Sequence, residues 1–308
     1  MGPGPEPGPD HRQQLLTPAA RARTVLGDAP DVLTVSSVNV NGIRAAAPKG
    51  LLAWLVATDA DVVCLQEVRA HPEDLPAELL DTFARHGWHL TYAPCETARG
   101  RNGVAVLTRV PPDAVRIGFG GAEAAEFAGS GRYLEVDLDV GPSRLTVASL
   151  YLPNGTVDTP KQDEKDRFLA VFAPYLAERR EKAAAEDREV LVCGDWNIAH
   201  TEADIRNWKG NLKNSGFLPH ERAWLGEVFT GYVDVVRTLY PGVDGPYSWW
   251  SYRGRAFDND AGWRIDYHVA TPGLASRAES AVVERAASHG ERWSDHAPVT
   301  VRYRTAPS

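Results

Sequence analysis

The sequence predicts a layered α/β sandwich. Hydrophobic residues make up 43% of the 308 residues and charged residues 24%, which are the proportions of an ordinary globular protein. Short runs rich in β-branched residues recur from residue 33 onward, and several alternate apolar with polar side chains as half-buried strands do. Helical patterns lie between them but are fewer. Many strands with few helices, in a chain long enough to bury a large core, favour sheets covered by helices.

The individual elements follow from local patterns. The predicted strands are 33–40, 61–65, 89–93, 103–108, 133–140, 145–152, 190–193, 265–270 and 298–303. The predicted helices are 51–57, a poorly capped segment at 76–86, 165–185 with a Glu/Lys/Arg outer face, and 221–228. Each has apolar positions at helical spacing. No internal repeat or linker divides the chain, so one domain is expected at 33–304.

The chain starts with a Gly/Pro alternation and an Ala/Arg-rich stretch. This composition buries too little apolar surface to offset its ordering entropy, so residues 1–32 are predicted to be a disordered tail. Neither a signal peptide nor an apolar stretch of about 18 residues is present. We therefore expect a cytoplasmic protein without a membrane segment.

Charge and cysteine content restrict the function further. The formal net charge of −8 argues against indiscriminate nucleic-acid binding, although a local basic track is compatible with it. Cys64, Cys95 and Cys193 cannot pair completely, and two of them lie in apolar runs, so structural thiols are expected. The only close histidine pair, His86 and His89, lacks partners for a zinc site. Serine-hydrolase, P-loop and dinucleotide-binding motifs are absent.

Polar residues cluster where the predicted strands end. These residues are Asn39 and Asn41; Gln66 and Glu67; Tyr151 and Asn154; Asp195 and Asn197; Arg264 and Asp266; and Asp295 and His296. Each alone is explained by a cap, a turn or a salt bridge. Together they form a set of hard oxygen ligands around one imidazole, which suits Mg²⁺ or Mn²⁺. Ligands of α/β folds bind where strand ends meet loops, so one common site is expected.

Six ordered blocks resemble the exonuclease III and AP endonuclease family. They are Asn39-Val40-Asn41-Gly42-Ile43-Arg44, Leu65-Gln66-Glu67, Tyr151-Leu152-Pro153-Asn154-Gly155, Gly194-Asp195-Trp196-Asn197, Gly262-Trp263-Arg264-Ile265-Asp266-Tyr267 and Ser294-Asp295-His296-Ala297-Pro298. The resemblance spans about residues 33–304. It implies a four-layer α/β sandwich, with two mixed β-sheets flanked by helices and the site at one edge.

The resemblance also implies roles for individual residues. Glu67 would be the principal metal ligand with Asn39 and Asp295 nearby, and the candidate metal set also includes Asp195, Asn197 and His296. The candidate catalytic residues are Tyr151, Asp195, Asn197, Asp266 and His296. Asp195 would orient or deprotonate water, Asn197 would bind phosphate, and Tyr151 would hold a phosphate oxygen or assist the leaving group. His296, paired with Asp266, would donate to the phosphate oxygen. Asn41 replaces a carboxylate of the eukaryotic branch, which favours a single ion.

Candidate DNA contacts combine cations, amides and aromatic rings, as backbone tracking requires. The candidates are Arg44, Arg206, Lys209, Asn211, Lys213, Trp249, Arg253 and Trp263, with Arg255 and Arg264 also near the tryptophans. Trp249 and Trp250 are adjacent on a strand and cannot both line the site. Trp263 is expected to wall a pocket that accepts a sugar without its base.

These features predict a Mg²⁺-dependent DNA-repair nuclease, with Mn²⁺ as a substitute. It would act as an exodeoxyribonuclease III, with 3′-to-5′ exonuclease, 3′-phosphodiesterase and apurinic/apyrimidinic endonuclease activity on double-stranded DNA. The expected substrates carry abasic sites or 3′ ends, and a monomer is expected. The alternative is a phosphodiesterase or phosphatase of the same fold that acts on lipid or inositol phosphates. A catalytically dead DNA-binding module is disfavoured because every catalytic block is intact.

Overall fold

The computed structural model describes residues 32–140 and 143–305. The strands are β1 (Val32–Asn39), β2 (Val62–Gln66), β3 (His89–Ala93), β4 (Val104–Thr108), β5 (Ala114–Ile117), β6 (Tyr133–Val140), β7 (Ser143–Tyr151), β8 (Glu189–Asp195), β9 (Val233–Asp234), β10 (Asp266–Ala270), β11 (Ala278–Val283) and β12 (Val299–Arg304). The α-helices are α1 (Ile43–Ala46), α2 (Leu51–Ala57), α3 (Ala77–Arg85), α4 (Pro160–Ala185), α5 (Trp208–Asn211), α6 (Pro219–Val228), α7 (Val235–Leu239) and α8 (Pro272–Ala275).

The strands form two mixed six-stranded sheets. The first has the order β11-β12-β1-β2-β4-β3 and the second β5-β6-β7-β8-β10-β9. Each sheet contains one parallel pair at its centre, β1 with β2 and β7 with β8, and its other pairs are antiparallel. The parallel pairs bring the carboxyl ends of these four strands to the same edge of their sheets.

Apolar side chains on both faces of each sheet produce four layers. Val35, Cys64 and Val147 belong to the core between the two sheets. The outer face of the first sheet packs against α2 and α3. The outer face of the second sheet packs against α4 and α6, mainly through aromatic residues. The predicted four-layer sandwich is therefore confirmed. All three cysteines are buried and free, as the sequence predicted.

The predicted strands are all present, but the sequence missed β5, β9 and β11. Each lies at the edge of a sheet. β5 and β11 are largely exposed and so lack the apolar pattern of a central strand, whereas β9 has only two residues. Helix α4 begins at Pro160 rather than at residue 165, because the Thr159 side chain caps the Lys161 N–H and proline is favoured in the first turn.

The predicted tail lies outside the described residues except for Val32. This residue opens β1 and pairs with Arg304, so the boundary at 32 is one residue too late. The tail and domain assignments otherwise stay predictions. Among the helices of the described segments, none is both long and apolar enough to cross a membrane.

Candidate active site

The predicted site residues come together at one edge of the sandwich. Register places Asn39 beside Gln66, and Tyr151 beside Asp195. Strand β10 runs antiparallel to β8, and its first residue, Asp266, pairs with Asp195. The loop before β12 adds Asp295 and His296 from the same side. The two parallel pairs therefore explain why residues distant in sequence meet here.

His296 lies between two buried carboxylates. Its Nδ1 is 2.8 Å from Asp266 Oδ2, and its Nε2 is 3.7 Å from Asp195 Oδ2. Ser248 donates its hydroxyl to the same Asp266 oxygen at 2.6 Å. This arrangement fixes the ring so that Nδ1–H faces Asp266 and Nε2 faces the site.

The charges of this group follow from burial and mutual contact. Burial lowers the pKa of His296, but Asp266 and Asp195 outweigh it and raise the pKa to about 10. Burial raises the pKa of Asp195 to about 7, although the His296 cation opposes the change. At neutral pH the ring is therefore an imidazolium, and Asp195 is poised between its two protonation states, where a general base works best.

Glu67 and Asp195 are joined by one amide. The Asn39 Nδ2 donates to Glu67 Oε1 at 2.8 Å and to Asp195 Oδ2 at 3.0 Å. The second oxygen of Glu67 forms an ion pair with the half-exposed Arg69. Glu67 itself adopts a left-handed backbone with φ of +50°, a strained conformation for a residue with a side chain and one that is often found at functional sites.

Asp295 is held from two sides. Asn41 Nδ2 donates to Asp295 Oδ1 at 2.9 Å, and Trp249 Nε1 donates to Oδ2 at 3.0 Å. The Asn41 amide is uncharged, so it does not neutralise Asp295. It instead orients the Asp295 carboxylate at the site.

Tyr151 and Asn197 complete the candidate catalytic set. Burial, reinforced by Glu67 and Asp195, holds the pKa of Tyr151 well above 10, so the phenol remains a hydrogen-bond donor. The Asn197 backbone N–H binds Asp195 Oδ1 at 3.0 Å, and its side-chain Nδ2 donates to Leu152 O at 2.9 Å. Asn197 also has a left-handed backbone, with φ of +50°.

The donor chemistry at this edge fits a hard divalent cation. Asn39 links the carboxylates of Glu67 and Asp195, and the Asn41 backbone N–H, bound to Asn39 Oδ1, links them to Asp295. Such hard oxygens suit Mg²⁺ or Mn²⁺. Ligand atoms of Asp195, Asp266 and His296 also lie within 4.8 Å of one another. The imidazolium form of His296 has no free lone pair, so its proton and a metal ion would compete for that ring.

With the exception of Arg264, the cations among the predicted DNA contacts are exposed, and three of them, Arg206, Lys209 and Lys213, form a basic rim on the loop after β8. Asn211 on the same loop is half-buried. Their loop is tied to the site, because Ile205 pairs with Trp263 and Arg206 N–H binds Gly262 O. The exposed Arg44 donates from its guanidinium to Arg69 O at 3.4 Å, close to Glu67, and Arg253 is exposed beyond Trp250.

The tryptophans divide as predicted. Trp249 and Trp263 are half-buried, with ring centres 6.1 Å apart and planes at 85°, and Trp249 is 6.4 Å from the ring of His296. Trp250 is buried against Phe257 on the opposite side. Trp249 and Trp263 therefore wall the space beside His296, and Trp250 belongs to the core.

Arg264 does not join the predicted basic rim. Its side chain is buried and binds Asp204 and both oxygens of Asp234. The interpretation of this residue as a surface cation near the tryptophans is wrong. Alternation along the chain turns Arg264 inward when Trp263 faces the site.

Sequence reasoning missed two contributors. Ser248, which holds Asp266, has no signal of its own in the sequence. A groove of about 790 Å³ runs from Glu67 and Tyr151 past five cations, Arg69, Arg101, Arg132, Lys161 and Arg167. Three of them pair with acids of the same groove, Arg69 with Glu67, Arg132 with Glu164 and Arg167 with Glu126. Only Arg69 could have been found, from its position two residues after Glu67.

Residues 36–296 match the model of the endonuclease/exonuclease/phosphatase family. The chain is 34% identical over 269 residues to an exodeoxyribonuclease of Bacillus subtilis, covering 85% of this chain and 96% of the relative. It is 31% identical to a DNA-(apurinic or apyrimidinic site) endonuclease of Dictyostelium discoideum, covering 87% and 70%. A 3′-5′ exonuclease from Neisseria meningitidis superimposes with a TM-score of 0.75 at 26% identity, covering 88% of this chain and all of the other. The chain is thus an enzyme of the exodeoxyribonuclease III and AP endonuclease type, and it belongs to the endonuclease/exonuclease/phosphatase family.

Proposed function

We propose that this nuclease uses Mg²⁺, or Mn²⁺ in its place, to hydrolyse phosphodiesters of duplex DNA. It cleaves 5′ to abasic sites and removes nucleotides and blocking groups from 3′ ends. The observation that carries the proposal is the His296–Asp195–Asp266 group placed directly beside the half-buried Trp249 and Trp263. The proposed hydrolytic residues and the two tryptophans are therefore adjacent, because the ring centres of Trp249 and His296 are 6.4 Å apart.

The protein groups divide the hydrolysis between them. Asp195 accepts a proton from the attacking water, because burial places its pKa at about 7. His296 donates through Nε2 to the phosphate oxygen where negative charge develops, while Asp266 keeps the ring oriented and cationic. Tyr151 donates its phenol proton to a phosphate or leaving oxygen, and Asn197 supports the same phosphate. Each is a positioned acid, base or donor.

Glu67, Asn39 and Asp295 are the residues that we propose hold the metal, with Asp195 and Asn197 adjoining. Their hard oxygens fit Mg²⁺. When bound, the ion supplies charge stabilisation at the phosphate. Because Asn41 provides an amide donor to Asp295 instead of a further carboxylate, the site supports one tightly held ion.

Selection of DNA without base reading follows from the surroundings of the site. The rim of Arg206, Lys209 and Lys213 on one side and the cationic groove on the other supply phosphate contacts. The exposed loops are rich in Arg, Asn and Trp, whereas a lipid-directed enzyme needs apolar loops. The relatives named above are nucleases, so the lipid or inositol phosphate alternative is not supported. A monomer in the cytoplasm is our inference, and three buried free thiols are typical of a reducing compartment.

The decisive experiment uses two labelled duplexes, one intact and one with a single abasic site, each incubated with enzyme and Mg²⁺. We expect incision 5′ to the abasic site, loss of activity in EDTA, and recovery with Mg²⁺ or Mn²⁺. Glu67→Gln should raise the Mg²⁺ concentration needed for half-maximal rate more than it weakens DNA binding. The matched control is Glu178→Gln, which changes an exposed carboxylate near the C-terminal end of α4, away from the site. Full activity in excess EDTA would falsify the metal requirement.

A further inference from the structure

A buried ion pair lies behind the site and is not part of the roles assigned above. Lys165 on α4 and Glu221 on α6 are both fully buried, with Nζ and Oε1 2.9 Å apart. Burying two charges costs free energy that their attraction seldom exceeds, and an apolar pair of similar volume is often as stable. A stability role alone therefore does not account for charges at this position.

Lys165 directly contacts the loop that carries Asn197. Its Nζ donates to Asn197 O at 2.9 Å and to Ser215 Oγ at 3.4 Å. Asn197 has a left-handed backbone with φ of +50°, which asparagine adopts more readily than most residues, and the Lys165 hydrogen bond holds the carbonyl of this turn. The ammonium group thus holds the backbone carbonyl of Asn197, a residue assigned above to the phosphate.

Glu221 organises the loop that follows the basic rim. Its carboxylate accepts from Gly216 N at 2.6 Å and Leu218 N at 3.1 Å, and from the side chains of Ser215 at 3.0 Å and Gln162 at 3.1 Å. A carboxylate can accept all of these together with the ammonium contact, whereas an amide of the same shape cannot.

Gly216 connects this cluster to the aromatic wall. A Cβ atom at Gly216 would lie 3.1 Å from both Asn197 O and Trp263 Cζ3. Its carbonyl also accepts from Ala199 N at 2.8 Å. Gly216, held by Glu221, therefore lies between Asn197 and Trp263, and the space between them has no room for a side chain at this position.

We propose that Lys165 and Glu221 are positioning residues. They hold Asn197, and the backbone at Gly216 that packs against Trp263, in the geometry that phosphodiester cleavage requires. The inference rests on the proposed function, because it assumes that Asn197 and Trp263 serve the abasic substrate. Neither residue touches DNA, and both act through the loop backbone.

The test compares three variants with the wild type on the abasic duplex. Lys165→Met should lower kcat about tenfold or more, because small displacements of a catalytic group are costly, and change the Kd for the same duplex in EDTA by less than about threefold. Lys165→Met leaves Glu221 buried without its partner, so its melting temperature should also fall. The double variant Lys165→Met/Glu221→Gln also removes the unpaired buried carboxylate, so it should recover part of that melting temperature, while kcat stays low because the amide cannot replace every hydrogen bond that Glu221 accepts. This separation of kcat from stability is the signature of positioning.

The matched control is Arg179→Met, since Arg179 also lies on α4 and forms a buried ion pair, with Nε 3.1 Å from Glu135 Oε2. It is about 21 Å farther along the helix at 1.5 Å per residue. We expect it to lower the melting temperature and leave kcat unchanged. A double variant with wild-type kcat, or an equal loss of kcat in Arg179→Met, would overturn the inference. Wild-type cleavage of the abasic duplex in the same assay tests the proposed function separately, and if Lys165→Met does not fold, the double variant decides.

Discussion

At the residue scale, neighbouring charges determine what each side chain of the site can do. Asp195 and Asp266 are both buried carboxylates on paired strand ends. Only Asp266 has a hydrogen bond to His296 Nδ1, and it also accepts from Ser248. Asp195 instead faces Nε2 and has its pKa raised to about 7 by burial. One carboxylate therefore orients the ring, and the other is free to accept a proton.

The first prediction concerns the pH dependence of cleavage. Asp195 must be ionised to accept a proton, so kcat/KM should rise with pH up to about 7. His296 must be protonated to donate, so kcat/KM should fall above about pH 10.

Asp195→Asn should lower the turnover number by at least about 10²-fold and preserve DNA binding. The residual activity should no longer rise between acidic and neutral pH. The control variant is Asp59→Asn, because Asp59 is exposed and lies before the start of β2, whereas the site lies beyond the end of that strand. A profile that is flat between pH 5 and 8 would exclude Asp195 as the base.

The second prediction concerns substrate choice. A nucleotide without its base costs less to rotate out of the helix, and a compact wall then excludes intact nucleotides. Trp263→Ala should therefore narrow the preference for abasic over intact duplex and leave the Mg²⁺ requirement unchanged. Trp54→Ala, on α2, is the matched control. Cleavage rates on both duplexes give the ratio, and an unchanged ratio in a folded Trp263 variant would leave that ring only a packing role.

At the element scale, the segment from β8 to α6 carries both catalysis and DNA tracking. Strand β8 ends at Asp195, and Asn197 follows. Farther along the chain, Lys209 of α5 and Lys213 lie on a loop whose Trp208 packs against the same small apolar cluster as Trp263. The ammonium of Lys209 lies 5.3 Å from the centre of the Trp208 ring. The phosphate-tracking residues are thus attached to the same short backbone that places Asn197.

The third prediction concerns the basic rim. Lys209 and Lys213 are exposed, and no acid pairs with them among the described residues. If each contacts one phosphate, Lys209→Ala/Lys213→Ala should weaken binding to all duplex sequences alike. The slope of log K against log salt should become shallower by about 2, at about 0.9 per lost contact. Lys182→Ala, on the far end of α4, should not change the slope. Equal slopes for the two variants would remove the rim from the DNA interface.

At the scale of the whole molecule, polar contacts inside the apolar core tie the two sheets together. His268 on β10 makes contact through Nε2 with Val299 O at 3.0 Å and through Nδ1 with Tyr303 Oη at 3.1 Å, both on β12 of the other sheet. A neutral ring satisfies both contacts, with Nε2–H donating and Nδ1 accepting. Burial lowers the pKa of His268 to about 4, although the Val299 carbonyl opposes the change.

The fourth prediction follows from this coupling. Because the folded pKa of about 4 lies below the ordinary value of 6.5, only the unfolded chain binds a proton between these values, and stability falls as pH decreases from 6.5 to 4. Between pH 7 and 5 the loss from this group is about 2 kcal/mol. His268→Gln keeps a donor and an acceptor but cannot titrate, so its unfolding free energy in urea should decline less than that of the wild type over this range. The exposed His89→Gln should behave as the wild type, and parallel pH curves for all three proteins would refute the assignment.

The sequence by itself determined the central strands, the four-layer class and the family, because buried strands have continuous apolar patterns and the six blocks occur in order; the roles of the site residues stay predictions. The sequence did not predict edge strands β5 and β11, because exposure removes their apolar pattern, or β9, because it has only two residues. Only the tertiary structure decided that Arg264 is a buried ion-pair partner and that Trp250 belongs to the core. It also revealed Ser248 behind Asp266, the cationic groove, and the Lys165–Glu221 pair behind Asn197. These assignments depend on contacts between residues far apart in the chain, which local patterns do not encode.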